Sequence, residues 1–430
     1  VKEFRRPLSG ITATPRFHPL KTLTNDFHQG ISTGSRRKFM KASTRLMQSP
    51  ALDLPPTRTV NPELYRGSTV YFDSYADLRS AGRGEYRGVT YGTDRLPQQR
   101  ILEQAIGELE GAALTRVFPS GISAISETLL AFAQAGDHLL VCDNVYGPTL
   151  RFCREILGKF GVQTDTVPAN VGADIIAFLR PNTRLIFLES PGSNTFEIQD
   201  IPAITRIARE RGIVTVLDNT WATPLYLNPF ALGVDICLHS VTKYLSGHAD
   251  VLMGSVSTIA EHAETIAKAY ACREIYASPD DCLLTLRGLK TLHVRMKEHF
   301  ASAMEVALRL QDHPLVREVL YPALPSHPEH HLWKRDFSGA SGLFSMTLRH
   351  DYAPQALGVF LDSLRLFGMG FSWGGYKSLI TAGVPGRTLA GRYHGQTIIR
   401  LHIGLEDPED LLEDLRHGLS LLEKQTPIQA

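Results

Sequence analysis

Nowhere in the 430 residues does an apolar run approach the roughly 18 residues that a helix needs to cross a bilayer. A helical integral membrane protein is therefore excluded. Net charge is almost absent as well, at a formal +1, so no broad basic field exists to attract nucleic acid as a general partner. Cysteine is scarce. The five residues Cys142, Cys153, Cys237, Cys272 and Cys282 are odd in number and scattered, without the paired spacing of a metal site or a disulfide framework. Reduced, mostly buried thiols in a cytosol-like, cytoplasmic setting are expected, with no metal. Internal repeats and low-complexity tracts are also missing, which excludes a solenoid or a fibrous chain. What is present is an ordinary globular composition, 43% apolar and 21% charged, in a chain long enough for two or three domains with a sizeable interior. Any specificity has to come from a site.

The near-zero charge hides an asymmetry. Residues 1–50 hold ten Lys and Arg against two acids and mix Arg, Ser, Thr and Pro without apolar periodicity, so they read as a poorly ordered extension. Within them, Ser35 to Lys41 (SRRKFMK) has the look of a twin-arginine export motif, but Arg45 and Asp53 interrupt the stretch where an apolar core should follow. A targeting segment over residues 1–39 and an extension upstream of Met40 both remain open. Residues 51–98 form an arm, rich in Tyr, Arg and Gly between Thr59 and Arg95 and read as extended. Helical spacing begins only at Ile101, Leu102, Ala105, Ile106 and Leu109, with Gly111 as the stop.

From there short apolar runs alternate with amphipathic stretches, the pattern of parallel βα units whose sheet is covered on both faces. The runs are Leu139–Cys142, Leu185–Leu188, Ile213–Leu217 and Val234–Leu238, and they end in Asp143, Glu189, Asp218 and His239. Pro202 opens a helix that Gly212 closes. Ligands of open α/β sheets bind at such carboxyl ends. We divide the rest into a larger domain, 99–286, and a smaller one, 287–430. The latter starts with Leu289, Leu292, Met296 and Phe300 at helical spacing. It continues with strand candidates Gly342–Leu348 and Thr397–Ile403, then a closing helix from Glu409 to Leu422.

The chemistry centres on Ser240 to Asp250, SVTKYLSGHAD, just after a buried strand. Lys243 stands there with the hydroxyls of Thr242 and Ser240 one and three residues upstream, as a Schiff-base lysine beside phosphate donors would. An exposed lysine after an edge strand has the same local pattern. Ser120, Gly121 and Ile122 form a small-residue turn into a helix, whose free N–H groups and dipole suit a phosphate; a plain serine-capped turn accounts for the same residues. Asp218 at a buried strand end needs a cation, a ring N–H or a salt bridge. Tyr146 is placed to stack on a flat ring or simply to pack.

These stretches together with LESPGSNT (188–195), LDNTW (217–221), SGLFS, SWGGYKSLI and IRLHIGLED resemble the Cys/Met-metabolism family of pyridoxal-phosphate enzymes over roughly residues 60–422. Within that family the chain is most similar to bacterial cystathionine β-lyases. The resemblance implies a type I, aspartate aminotransferase-like α/β fold with a large cofactor domain and a small C-terminal α/β domain. It implies pyridoxal 5′-phosphate on Lys243, which would also move the proton at Cα, and Asp218 against the pyridine nitrogen. Tyr146 would stack on the ring. Gly121, Ile122, Ser240 and Thr242 would bind the phosphate, Arg400 the α-carboxylate of an amino-acid substrate, and Ser372 and Trp373 would line the substrate side.

The reaction implied is β-elimination of cystathionine to homocysteine, pyruvate and ammonia. γ-Elimination or γ-replacement, and a cofactor-binding regulator without turnover, are the alternatives. Homotetramers with sites shared between subunits are usual in the family, whose arm lends the Tyr and Arg of a YGR run to a neighbour's phosphate. Here the run is Tyr91, Gly92, Thr93, and Arg95 is the candidate replacement. Ser193 stands where the family often has Asn, with Asn194 beside it, and that role is left unassigned.

Overall fold

The structure is a computed structural model that describes residues 40–47 and 59–428, so the segment 1–39, with its targeting-or-extension reading, lies outside the described residues. Its larger sheet has seven strands: β1 (Leu114–Phe118), β2 (His138–Cys142), β3 (Gln163–Val167), β4 (Thr183–Glu189), β5 (Val214–Asp218), β6 (Ile236–Ser240) and β7 (Gly254–Thr258). Their order is β1-β7-β6-β5-β4-β2-β3, and every strand runs the same way except β7, antiparallel to both neighbours. The four apolar runs became β2, β4, β5 and β6, which lie side by side with helices over them. Their carboxyl ends therefore share one edge, bringing Asp143, Glu189, Asp218 and Ser240 to the same side of the sheet.

Three strands carry no apolar run. β7 is Gly-Ser-Val-Ser-Thr yet wholly buried, and its Ser257 hydroxyl pairs with the Thr115 hydroxyl of β1 at 2.8 Å. Hydroxyls that satisfy one another across a strand pair permit a polar sequence in the interior. The helix Pro97–Glu110 begins where Gln99 accepts from the Leu96 N–H at 2.6 Å and ends at Gly111, whose φ of 74° is left-handed. Gly212, φ 64°, stands just past the end of the helix Ile201–Glu210.

A single helix of 33 residues, Pro279–Gln311, then carries the chain to the second sheet. Ser278 caps it, Asp280 and Asp281 complement the dipole in its first turn, and Leu289, Leu292 and Met296 are buried along it. The second sheet comprises β8 (Val316–Leu320), β9 (Leu343–Leu348), β10 (Gly368–Met369), β11 (Leu379–Gly383) and β12 (Ile398–His402). Its order is β10-β11-β12-β9-β8, antiparallel apart from β10–β11. The last helix, Pro408–Leu422, buries Leu411, Leu412, Leu415, Leu419 and Leu422. Each such leucine contributes about 2 kcal/mol of transfer free energy.

Two stretches differ from the sequence reading. The arm is not extended throughout: Tyr75–Gly82 is a helix, capped by Ser74 accepting from Asp77 N–H at 3.1 Å, with no buried residue. Local capping makes that turn without a core. In the segment read as poorly ordered, Ala42–Met47 is also helical. Its Leu46, 4% exposed, joins the cluster of Leu102, Ile106 and Leu289, and Arg45 donates to the Glu108 carbonyl. Among the described residues no helix is long and apolar enough to cross a membrane.

Candidate active site

A cavity of about 570 Å³ opens at the shared strand edge and is walled by both sheets. From the larger sheet come Ser120, Gly121, Ile122, Tyr146, Asp218, Ser240, Thr242 and Lys243; Ser372, Trp373 and Arg400 come from the second sheet and its connections. The structure thus brings together every predicted site residue except Tyr91 and Arg95, which do not line this cavity. Arg95 is engaged elsewhere, 3.1 Å from the buried carboxylate of Glu103, which also meets Arg116 at 3.2 Å. Tyr91 is half-exposed and bridges Thr69 within the arm.

The helix Gly121–Phe132 starts at the cavity with Ser120 as its N-cap, accepting from Ser123 N–H at 3.1 Å. The N–H groups of Gly121 and Ile122 have no partner within the helix and face the cup. Glycine is needed at 121 because a Cβ there would sit 2.8 Å from the Ser240 hydroxyl. Ser240 is the freer of the two hydroxyls. Thr242 Oγ1 donates to the Met253 carbonyl at 3.2 Å and accepts from its N–H at 3.0 Å, so it steadies the lysine loop as well as lining the cup.

Lys243 Nζ donates to Ser372 Oγ at 2.7 Å and lies 5.6 Å from the centre of the Trp373 ring. Burial, reinforced by the Arg400 charge and opposed by Asp218, brings its pKa down to about 8. An amine so depressed is available as a free base near neutrality. Ser372 meets it from a left-handed backbone, φ 78°. The turn is held from below: Gly374 N–H donates to His402 Nε2 at 3.1 Å, and a Cβ on Gly374 would strike the Lys243 backbone at 2.8 Å. Trp373 both faces the cavity and packs on Tyr244, ring centres 5.4 Å apart.

Asp218 accepts on Oδ1 from the Thr220 N–H, 3.0 Å, and hydroxyl. Among the described residues no hydrogen bond reaches Oδ2. Burial raises its pKa, while the Thr220 donors and the charges of His239 and Lys243 oppose the rise. Arg400 has no carboxylate partner among the described residues; its Nη1 and Nη2 reach only Asn194 Oδ1 and the Ser372 carbonyl, both at 3.5 Å. A desolvated, unpaired guanidinium is costly. It is poised for an anion, and burial depresses its pKa.

Sequence reasoning missed Thr220, and it named Glu189 only as a polar strand end. In the structure Glu189 lines the cavity, accepting from Tyr146 N–H at 2.6 Å and from Ser193 Oγ at 2.5 Å. It lies beside Asp218 in the β4–β5 register, and burial with that neighbouring charge pushes its pKa up to about 8. The ESP run preceding the Ser193 turn was the available signal. One depressed lysine, a free carboxylate oxygen, a helix start with open N–H groups and an adjacent hydroxyl fit a phosphorylated pyridine aldehyde: amine to aldehyde, acid to ring nitrogen, donors to phosphate.

Comparison with known proteins agrees with that cofactor. Residues 43–420 match the family described as Cys/Met metabolism PLP-dependent enzyme. Cystathionine β-lyase MetC of Escherichia coli (strain K12) is 41% identical over 370 residues, covering 84% of this chain and 93% of that protein. The L-alanine/L-glutamate racemase of Wolbachia pipientis wMel is 41% identical over 380 residues, covering 85% and 93%. A crystal structure of cystathionine γ-synthase from Xanthomonas oryzae pv. oryzae superposes with a TM-score of 0.82 at 31% identity, covering 89% of this chain and 99% of that one. The fold is accordingly the type I pyridoxal-phosphate fold, the cofactor is pyridoxal 5′-phosphate, and the chain belongs to the Cys/Met metabolism PLP-dependent enzyme family.

Proposed function

We propose that the protein is a carbon–sulfur lyase that cleaves cystathionine by β-elimination, releasing homocysteine, pyruvate and ammonia. When bound, pyridoxal 5′-phosphate supplies an electron sink for the charge left at Cα. Lys243 would hold it through Nζ and would also serve the proton at the substrate Cα. Asp218 would offer Oδ2 to the ring nitrogen, and the Gly121 and Ile122 N–H groups with the Ser240 hydroxyl would take the phosphate, helped by Thr242. Tyr146 would cover the ring. Arg400 orients the substrate through its α-carboxylate in a fork that lysine could not reproduce. Ser372 and Trp373 bound the space for the departing thiol.

The observation that carries the β reading is Trp373 on the cavity wall beside Arg400, in the SWGG turn that resembles β-lyases. A γ-reaction needs a second proton removed at Cβ and a leaving group one carbon farther out, so a bulky indole beside the clamp favours the shorter reach. Mass-spectrometric analysis of products from L,L-cystathionine tests it. Pyruvate with homocysteine is expected; predominant 2-oxobutyrate with cysteine would overturn the β assignment and favour a γ-lyase.

We place this activity in the cytoplasm, in keeping with five free thiols. We assign it to a homotetramer in which a second copy's arm completes the cup through Tyr91. Arg95, being paired with Glu103, needs to exchange that partner to take part. Mixing Tyr91→Phe and Lys243→Ala subunits tests the sharing: activity recovered in the mixture is expected, and none at all would refute it.

A further inference from the structure

One half-buried carboxyl in the cavity has no part in the scheme above. Glu189 ends β4 next to Asp218, yet both its oxygens accept from the protein: Oε2 from the backbone N–H of Tyr146 and Oε1 from the hydroxyl of Ser193. Both oxygens are thereby tied to the protein frame. Its two donors belong to different walls of the site. Tyr146 stands at the head of the helix Gly147–Glu155, on the wall assigned to ring stacking. Ser193 belongs to the turn whose next residue, Asn194, has a left-handed φ of 66° and touches the Arg400 guanidinium through Oδ1. The two walls already meet once, where Ser193 N–H donates to the Asn144 carbonyl at 2.7 Å. Little slack remains there, since a Cβ on Gly192 would sit 1.9 Å from the Asn144 amide.

We propose that Glu189 is a positioning residue that staples the Tyr146 wall to the Ser193–Asn194 turn, so that ring cover and carboxylate clamp are set by one side chain. The staple acts in two directions. Through Tyr146 it governs how tightly the cofactor is held; through Ser193 and Asn194 it governs where Arg400 points. Removing the Ser193 hydroxyl cuts only the second direction, whereas removing the carboxyl cuts both. Glutamine preserves the geometry, because its carbonyl can accept from Tyr146 N–H while its amide donates to a rotated Ser193 hydroxyl. The inference rests on the cofactor and clamp assignments made above.

A double-mutant cycle on the full chain tests it, read by the affinity of the cofactor-stripped protein for pyridoxal 5′-phosphate and by KM and kcat of the loaded enzyme. Ser193→Ala is expected to raise KM about fivefold, with kcat and cofactor affinity changed by less than about twofold. Glu189→Ala is expected to weaken cofactor affinity and raise KM, each about tenfold, and Glu189→Gln to stay within about threefold of wild type in both. Adding Ser193→Ala to Glu189→Ala is expected to raise KM no further, as for two groups in one network. Additive KM effects, an unchanged KM in Ser193→Ala, or glutamine as damaging as alanine would each overturn the staple. Should Glu189→Ala fail to fold, as read by thermal unfolding, Ser193→Ala and Glu189→Gln decide alone. Wild-type protein that took up no cofactor on Lys243 would instead sink the site assignment beneath it.

Discussion

Replacing Arg400 tests the clamp directly. The residue lies in β12 opposite Thr381 and Ser345, and among the described residues its guanidinium makes only the two hydrogen bonds at 3.5 Å, at the outer limit of such bonds. Its capacity for two charge-assisted bonds is therefore in reserve for a ligand carboxylate. At about 1.5 kcal/mol for each bond, Arg400→Ala removes about 3 kcal/mol of substrate binding, or about 100-fold in KM. Lysine keeps the charge without the fork, so Arg400→Lys should lose about half of that, near tenfold. Steady-state kinetics on wild type and both variants measure the ratios, with binding of a substrate analogue lacking the α-carboxylate as the control. That analogue should discriminate little between wild type and variants. A KM change below about threefold in Arg400→Ala, or an equal loss of affinity for the carboxylate-free analogue, would refute the clamp.

Hydride reduction of the loaded protein followed by peptide mapping should place the cofactor label on Lys243, and label on another lysine would refute the assignment. Gly121→Ala should weaken pyridoxal 5′-phosphate affinity at least about tenfold, since its Cβ would stand 2.8 Å from Ser240 Oγ where the helix start meets the cup; titration of cofactor-stripped protein measures it. Folding holds the Lys243 ammonium down to about 8, against 10.5 for an ordinary lysine, so between those values the unfolded chain binds the extra proton and stability rises with pH. Urea denaturation of the cofactor-free protein should show that wild type gains more between pH 8 and 10 than Lys243→Met does. Equal gains would mean that the amine is not desolvated.

Legibility in the sequence followed burial of side chains. β2, β4, β5 and β6 could be read because both faces of each are covered, which forces continuous apolar runs. β7 could not, because its sequence is polar, with Ser257 satisfied by the Thr115 hydroxyl of β1 rather than replaced by carbon. Leu46 had too short a segment around it to show a period, and the helix at Tyr75–Gly82 rests on a cap rather than on a buried face. In the site, Lys243, Asp218 and Arg400 were found through the motifs that carry them. Glu189, Thr220 and the His402 support under Gly374 depend on partners 43, 20 and 28 positions away, and such pairings become visible only when the strand ends are brought together.

The helix Pro279–Gln311 also fixes an order of events during synthesis. The residues of the phosphate cup and Lys243 itself precede that helix, whereas Arg400 lies beyond it, in the strand before the final helix. At about 5–20 residues per second, a ribosome delivers the clamp roughly ten to thirty seconds after the cup. During that interval a nascent chain presents an amine and anion-binding donors with no wall to exclude bulk water. Cofactor capture, if it begins then, precedes any ability to select an amino acid. The guanidinium that we assign to the substrate carboxylate is among the last parts of the site to be made.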